Sequence, residues 1–460
     1  MARTANSFQQ GNGKYEMVPP EGGWGYAVML GVSLIFTVTI VPASFFGTVF
    51  GPFVASLGDE ISATALILGV FNTTLFLTGL PSNYLLQKYS YRRVAAIGAI
   101  LYFIGSFLAI FAQTIFQLLA VYGIMQGIGF GFLVSSGFAA LHEYFVQKEN
   151  FVMSICHTII GAMGMIWPIF TSKLMADYGF RGTAAIFSAL SLHLILAASI
   201  FQPAKWHYRR KQILIAEKES FIPTLAPVND TQELPEGGLL KKDPANFELD
   251  ESNSVGAWQS IVNSLDLVLF KDPCYVNLTL GTSMAMTSDV LFLSIIPAIL
   301  TTYGFDDSEQ TIILTVFFSA DLVGRAFLSI VNGVFRIYNR YVVLMGAVLT
   351  TILRVAFTLN YSFWWTILIS AALGSLRCTI QVTFSLVFAE KYGHRYVTAF
   401  SLNMVVTGIV VLTVGILSGW VKDLTGSDIM VVHLLTLIYS ICAASWSVEI
   451  LCSKIVKMNT

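Results

Sequence analysis

Five ionisable side chains stand inside long apolar stretches, where charge is expensive: Asp289, Asp321, Arg325, Arg354 and Arg377. An ionised group at the centre of a bilayer costs about 2.5 to 3.5 kcal/mol on insertion scales, so each needs a partner or a watered cavity. Asp321 and Arg325 are four residues apart, acid before base, an order that favours pairing on one helix face. A carboxylate there can take a proton, and the guanidinium beside it can be claimed by a substrate carboxylate through its planar two-point fork. Protonating Asp321 would release Arg325 to an anion and so couple substrate to proton in one step. The same two residues could also form an inert pair that merely permits insertion. Arg377 is open between an ion pair with Asp289, a second anion ligand, and contacts to helix carbonyls. The expected substrate ligands are therefore Arg325 and Arg377, with Asp321 and Asp289 as the proton-coupling acids.

The elements that must hold these groups follow from composition. Of 460 residues, 55% are hydrophobic and 12% charged, with net charge −1 and a mean hydropathy of +0.71. Soluble domains carry about 25% charged residues, so this chain cannot cover itself with solvated side chains, and lipid is the remaining solvent. The small net charge excludes a nucleic-acid partner, and the scarcity of charge excludes a disordered chain. Cys156, Cys274, Cys378, Cys442 and Cys452 lie in or beside apolar runs without metal or redox spacing, so neither a disulfide scaffold nor a metal site is expected. No cofactor is implied. A nucleotide-cradling Gly-rich loop, a zinc-protease motif, a nucleophile elbow and a potassium-filter sequence are not found, which argues against a pump, a membrane hydrolase and a channel.

A bilayer core about 30 Å thick asks for roughly 20 apolar residues per helix. Twelve such runs occur, near 24–55, 64–87, 94–112, 116–141, 151–175, 183–202, 274–300, 310–333, 341–359, 362–387, 396–419 and 429–452. The first is long enough to tilt or to kink at Pro42 or Pro52. The expected organisation is a cytoplasmic tail over 1–23, a six-helix bundle over 24–202, a cytoplasmic loop over 203–273, a second six-helix bundle over 274–452, and a cytoplasmic tail over 453–460. The loop carries Pro223, Pro227, Pro235 and Pro244 among polar residues, as a linker should. With the N-terminus inside, 20 of the 26 Lys and Arg residues fall on inner segments, whereas Lys173, Arg181 and Lys422 fall outside. Outer turns carry Asp59, Glu60, Asp306, Asp307 and Glu309.

Counting about 1.5 Å per residue from the outer ends puts Asp289 and Asp321 roughly 17 Å deep and Arg325 and Arg377 roughly 22 Å deep. Four charges from three helices thus share a layer near the midplane. Arg354 comes within about 8 Å of its outer end, near enough to snorkel, and is left out of this layer. Gly123, Gly127, Gly129, Gly131 and Gly137 in span 4, with Gly161 and Gly164 in span 5, are spaced for close backbone approach. His157, His193 and His433 have no partner carboxylate nearby in sequence and are expected to be structural. Lys88 to Val94 and Arg336 to Val342 share the pattern basic, three residues, Arg, one residue, Val, at equivalent places in the two halves, as a parallel repeat would.

Several motifs resemble those of the monocarboxylate transporters of the major facilitator superfamily. Pro20, Glu21, Gly22, Gly23, Trp24, Gly25 and Tyr26 look like the signature that opens the family's first helix. Tyr178 to Gly182 before span 6, Leu269 to Pro273 before span 7, and the Asp321–Arg325 spacing are similar to further family features. The resemblance implies a fold of two six-helix bundles and alternating access to a small organic anion. It also implies roles for Asp321 and Arg325 as proton acceptor and carboxylate ligand. A plasma-membrane address and, for some members, a single-span immunoglobulin-like glycoprotein partner belong to the same implication. Two departures stand out. Gln147, Lys148 and Glu149 replace the basic run of the second signature, and no Lys, Arg, Asp or Glu occurs between Trp24 and Gly58, where proton-coupled lactate carriers place a lysine. An uncoupled facilitator for an aromatic amino acid or larger carboxylate, and a non-transporting sensor on the same fold, are the rival expectations.

Overall fold

The computed structural model describes residues 8–9, 14–44, 46–56, 60–212, 267–335 and 337–459. Most of the central loop, with its four prolines, lies outside the described residues, as do Asp59 and Arg336. The fold is all-helical apart from a small antiparallel sheet, β1 (Phe8–Gln9), β2 (Lys14–Val18) and β3 (Arg209–Gln212), in that order. Pairing of Tyr15 with Gln212 and of Val18 with Arg209 ties the segment before the first span to the segment after the sixth. Both therefore lie on one face, called inner below.

The helices form twelve spans. The first comprises Trp24–Ser44 and Phe46–Ser56, on either side of residue 45, which lies outside the described residues. The second comprises Glu60–Leu77 and Gly79–Lys88, the third is Tyr91–Ala109, and the fourth runs from Ile115 through a π-helical stretch, Leu119–Gln126, to Gly127–Tyr144. Glu149–Ser191 holds spans 5 and 6, parted at Gly179, whose backbone (φ 64°, ψ −170°) is non-helical and suits a residue without Cβ. His193–Ile200 finishes span 6. Spans 7, 8 and 9 are Pro273–Thr302, Asp307–Val334 and Asn339–Phe357. Span 10 is Phe363–Gln381 with Thr383–Tyr392, and spans 11 and 12 are Tyr396–Thr425 and Asp428–Asn459. Among the described residues, ten stretches have the length and hydropathy to cross a membrane; one of them, of 63 residues, turns at Gly393–Arg395 and supplies spans 10 and 11. Span 2 completes the twelve. The last helix continues through most of 453–460, where a tail is expected.

Local chemistry sets the starts of spans 7 and 8. The Asp272 carboxylate accepts from the Cys274 backbone N–H at 2.9 Å, with Pro273 in the first turn, where a missing N–H costs nothing. The Tyr392 hydroxyl donates to the other Asp272 oxygen at 2.6 Å, and this bond holds the carboxyl below the usual carboxylate range. Asp306 and Glu309 form a reciprocal capping box on span 8.

The opening motif has a mechanical role. Glu21, at φ 49°, directs its carboxylate to the backbone N–H groups of Val146, Gln147 and Lys148 at 2.8, 2.8 and 3.2 Å, at the start of span 5. Trp24 Nε1 donates to the Ile200 carbonyl at 2.9 Å, and a Cβ on Gly25 would meet the Phe145 ring at 2.7 Å. The motif therefore fastens span 1 to the turn between spans 4 and 5 and to the end of span 6.

The glycines of span 4 pack as expected. Cβ atoms at Gly127 and Gly131 would collide with Thr74, Leu75 and Thr78 of span 2, and one at Gly129 with the Tyr102 backbone of span 3. Gly324 and Gly374 do the same for spans 8 and 10. A Cβ on either would fall on the carbonyl of Ser375 or Phe317 of the opposite helix.

Candidate functional site

That close approach of spans 8 and 10 builds the charge layer. Asp321 and Arg325 pair as expected: Arg325 Nε and Nη2 donate to Asp321 Oδ2 at 3.0 and 2.9 Å. Arg377, one span away, donates from Nη1 to the same Asp321 oxygen at 3.3 Å and from Nε to Asp289 Oδ2 at 3.0 Å. Of the three alternatives open for Arg377, the ion pair with Asp289 is formed, and a second pair with Asp321 is added. Gln381, one turn beyond Arg377, donates to Asp289 Oδ2 at 2.7 Å. The four expected site residues thus form one chain, Asp289–Arg377–Asp321–Arg325, across spans 7, 10 and 8. Asp321 is 4% and Arg325 5% exposed, so the pair is closed off from both faces in this conformer. Asp321 Oδ1 has no hydrogen-bond partner among the described residues and is the free position at which a proton could sit.

Arg354 does not snorkel: it is 1% exposed, with Nη1 on Ser288 Oγ at 2.6 Å and its guanidinium over the rings of Phe292 at 4.3 Å and Tyr439 at 4.9 Å. Depth along a helix does not reveal the direction of a side chain. Arg354 points into its own bundle, where two aromatic faces and Ser288, the neighbour of Asp289, replace water.

Of the three histidines within spans, His157 stands nearest the charge layer. His193 and His433 lie on exposed faces, but His157 is buried and its Nδ1 stands 3.2 Å from Arg325 Nη1. A guanidinium can only donate, so Nδ1 is the acceptor and the ring is neutral, with its proton on Nε2. Phe36 of span 1 stacks on the same ring, with centroids 6.1 Å apart. Gly161, one turn on, leaves room for Arg325, because a Cβ there would sit 3.2 Å from Arg325 Cδ.

His157 tops a polar seam between the halves. From the inner face upward, Asn339 donates to Asn150 at 3.1 Å, Asn332 to Ser154 at 2.9 Å, and the hydroxyls of Thr158 and Ser329 meet at 3.1 Å. A second seam joins spans 2 and 4 to the turn before span 11 and to span 11 itself. There His142 Nε2 lies 3.0 Å from the Gly393 carbonyl and the Phe138 and Phe400 rings are 5.3 Å apart. The helical spacing of Asn150, Ser154, His157, Thr158 and Gly161 was the available sign that this face of span 5 meets a polar partner.

Comparison with known proteins agrees with this architecture. The family model described as Major Facilitator Superfamily matches residues 28–268. Monocarboxylate transporter 13 of Rattus norvegicus is 28% identical over 185 residues, 40% of this chain and 43% of that one, so the matched stretch spans less than half of that relative. Monocarboxylate transporter 7 of Homo sapiens is 21% identical over 401 residues, covering 81% of this chain and 75% of the relative. Among solved structures, the E. coli fucose:proton symporter superposes with a TM-score of 0.63 at 15% identity, covering 93% of this chain and 99% of that one. That likeness shows the fold. The chain is a multi-pass membrane protein that belongs to the major facilitator superfamily, and within it is similar to the monocarboxylate transporters that its opening motif resembles.

Proposed function

We propose that the chain is a secondary transporter that moves a small organic monocarboxylate by alternating access, with Arg325 as the main counter-ion and Arg377 as a second ligand. The observation that carries this reading is the chain Asp289–Arg377–Asp321–Arg325, which ends on His157 of the opposite half. A substrate carboxylate can replace Asp321 on the Arg325 fork once Asp321 is protonated, and the exchange leaves the guanidinium paired with a carboxylate. Asp289 holds Arg377 in place during that exchange. Because Arg325 is buried, the seam between spans 5 and 8 must part for substrate to enter, which is the rocking motion that two joined halves can make. The names of the relatives support the substrate class. The distribution of Lys and Arg supports an inner face in the cytoplasm, and the family resemblance supports a plasma-membrane address and an immunoglobulin-like single-span partner.

A second reading, uncoupled passage of an aromatic amino acid or larger carboxylate, draws on two observations. Span 1 holds no ionisable group between Trp24 and Gly58 other than Tyr26, and the Phe36, Phe130 and Phe138 rings lie together beside His157. Uptake into proteoliposomes across lactate, branched keto acids, aromatic amino acids and zwitterions, at two pH values, separates the readings. Coupled carboxylate transport rises as the outer pH falls, and Asp321→Asn abolishes the rise. An unchanged pH profile in that variant removes Asp321 from the coupling step, and binding without flux of any of these compounds favours a sensor.

A further inference from the structure

The proposed mechanism leaves one buried titratable group of the N-terminal half unused. Arg325 is engaged through all three of its nitrogens in this conformer: Nε and Nη2 donate to Asp321 on its own helix, and Nη1 to His157 across the seam. The fork that a substrate carboxylate would enter is therefore occupied from both sides. Asp321 protonation clears one side only. The other is cleared when His157 lets go.

We infer that His157 is a positioning residue that holds Arg325 in the empty carrier and surrenders it to the substrate carboxylate when that carboxylate arrives. The inference deepens the transporter reading above and rests on it. The donor and acceptor logic is strict. A neutral imidazole accepts the Arg325 N–H through its Nδ1 lone pair, and a carboxylate accepts it as well while carrying the opposite charge, so the anion is the stronger partner and displaces the ring. The charged groups around the ring are Arg325 on span 8 and Arg377 on span 10, both cations. Span 1 offers the Phe36 ring, which can hold the displaced imidazole without competing for it. The position also links binding to motion. His157–Arg325 is the top rung of the seam above Thr158–Ser329, Ser154–Asn332 and Asn150–Asn339, so taking Arg325 away loosens spans 5 and 8 at the level of the site.

The test is saturable binding of radiolabelled pyruvate, lactate and phenylpyruvate to the purified full chain at one fixed pH. His157→Phe keeps a ring beside Phe36 and removes the acceptor, so the carboxylate no longer competes for Nη1 and affinity should rise about tenfold over the wild type, the worth of one hydrogen bond to a charged group. His157→Gln keeps an acceptor for Arg325, so its affinity should stay near the wild-type value. A gain of affinity on losing a side chain's hydrogen bond is not produced by a merely structural role. The inference is overturned if His157→Phe binds no more tightly than the wild type, or if His157→Gln gains as much as His157→Phe. If the wild type binds none of the three probes, the carboxylate reading itself falls and the inference falls with it.

Discussion

The two halves share a fold but divide the chemistry unequally. In the C-terminal half, spans 7, 8, 9 and 10 bury two carboxylates and three guanidinia, each guanidinium with its own oxygen or aromatic partner. In the N-terminal half, spans 1 to 4 pack around glycines and aromatic rings, with Phe36, Phe130, Phe71 and Tyr122 in contact one after the next, and bring no ionised side chain to that layer among the described residues. His157 and Gly161 are the points at which the apolar half touches the charged one. The lesson is that charge can be kept in lipid on one side of a moving interface. One half carries a preformed, mutually neutralised network, and the other can separate from it without stranding an ion of its own.

The largest effect is expected where that network is broken. Arg377→Leu leaves Asp289 and Asp321 facing each other without their bridge, a loss of about 3 to 5 kcal/mol for an unpaired buried charge. It should appear as a large drop in thermal stability in detergent, and pairing it with Asp289→Asn should restore part of that drop. Gly374→Val tests the packing that makes the network possible. The added carbons strike the Phe317 carbonyl, so spans 8 and 10 must part at an overpacking cost of about 1 to 3 kcal/mol. The same substitution at Gly164 meets nothing within 4 Å of its Cβ and should be far milder by the same thermal assay. The smallest effect belongs to the uncharged half. Glu21→Ala removes one carboxylate cap from the start of span 5, worth about 1 kcal/mol, and should lower the melting temperature without changing substrate affinity. A change in affinity would mean that the opening motif does more than fasten span 1.

The sequence made the twelve spans legible because lipid demands long apolar runs, and it made the charge layer legible because buried charges are few and their depth can be counted. The acid–base order of Asp321 and Arg325 already contained their pair. The rest was hidden by direction. Arg354 lies near the outer end of its helix, yet its side chain turns inward to Ser288, Phe292 and Tyr439, which depth alone cannot show. The role of Arg377 needed the distance between spans 7, 8 and 10, which is set by Gly324 and Gly374. His157 is 168 positions from Arg325, beyond any local pattern, and only the polar stripe on span 5 marked that face.

The central claim is that Arg325 receives the substrate through its planar fork and not through charge alone. Uptake of the preferred carboxylate by proteoliposomes holding Arg325→Lys measures it directly, because lysine keeps the charge and lacks the fork. The account predicts transport reduced by at least about tenfold, with protein yield and thermal stability close to wild type. Transport near the wild-type rate would contradict it.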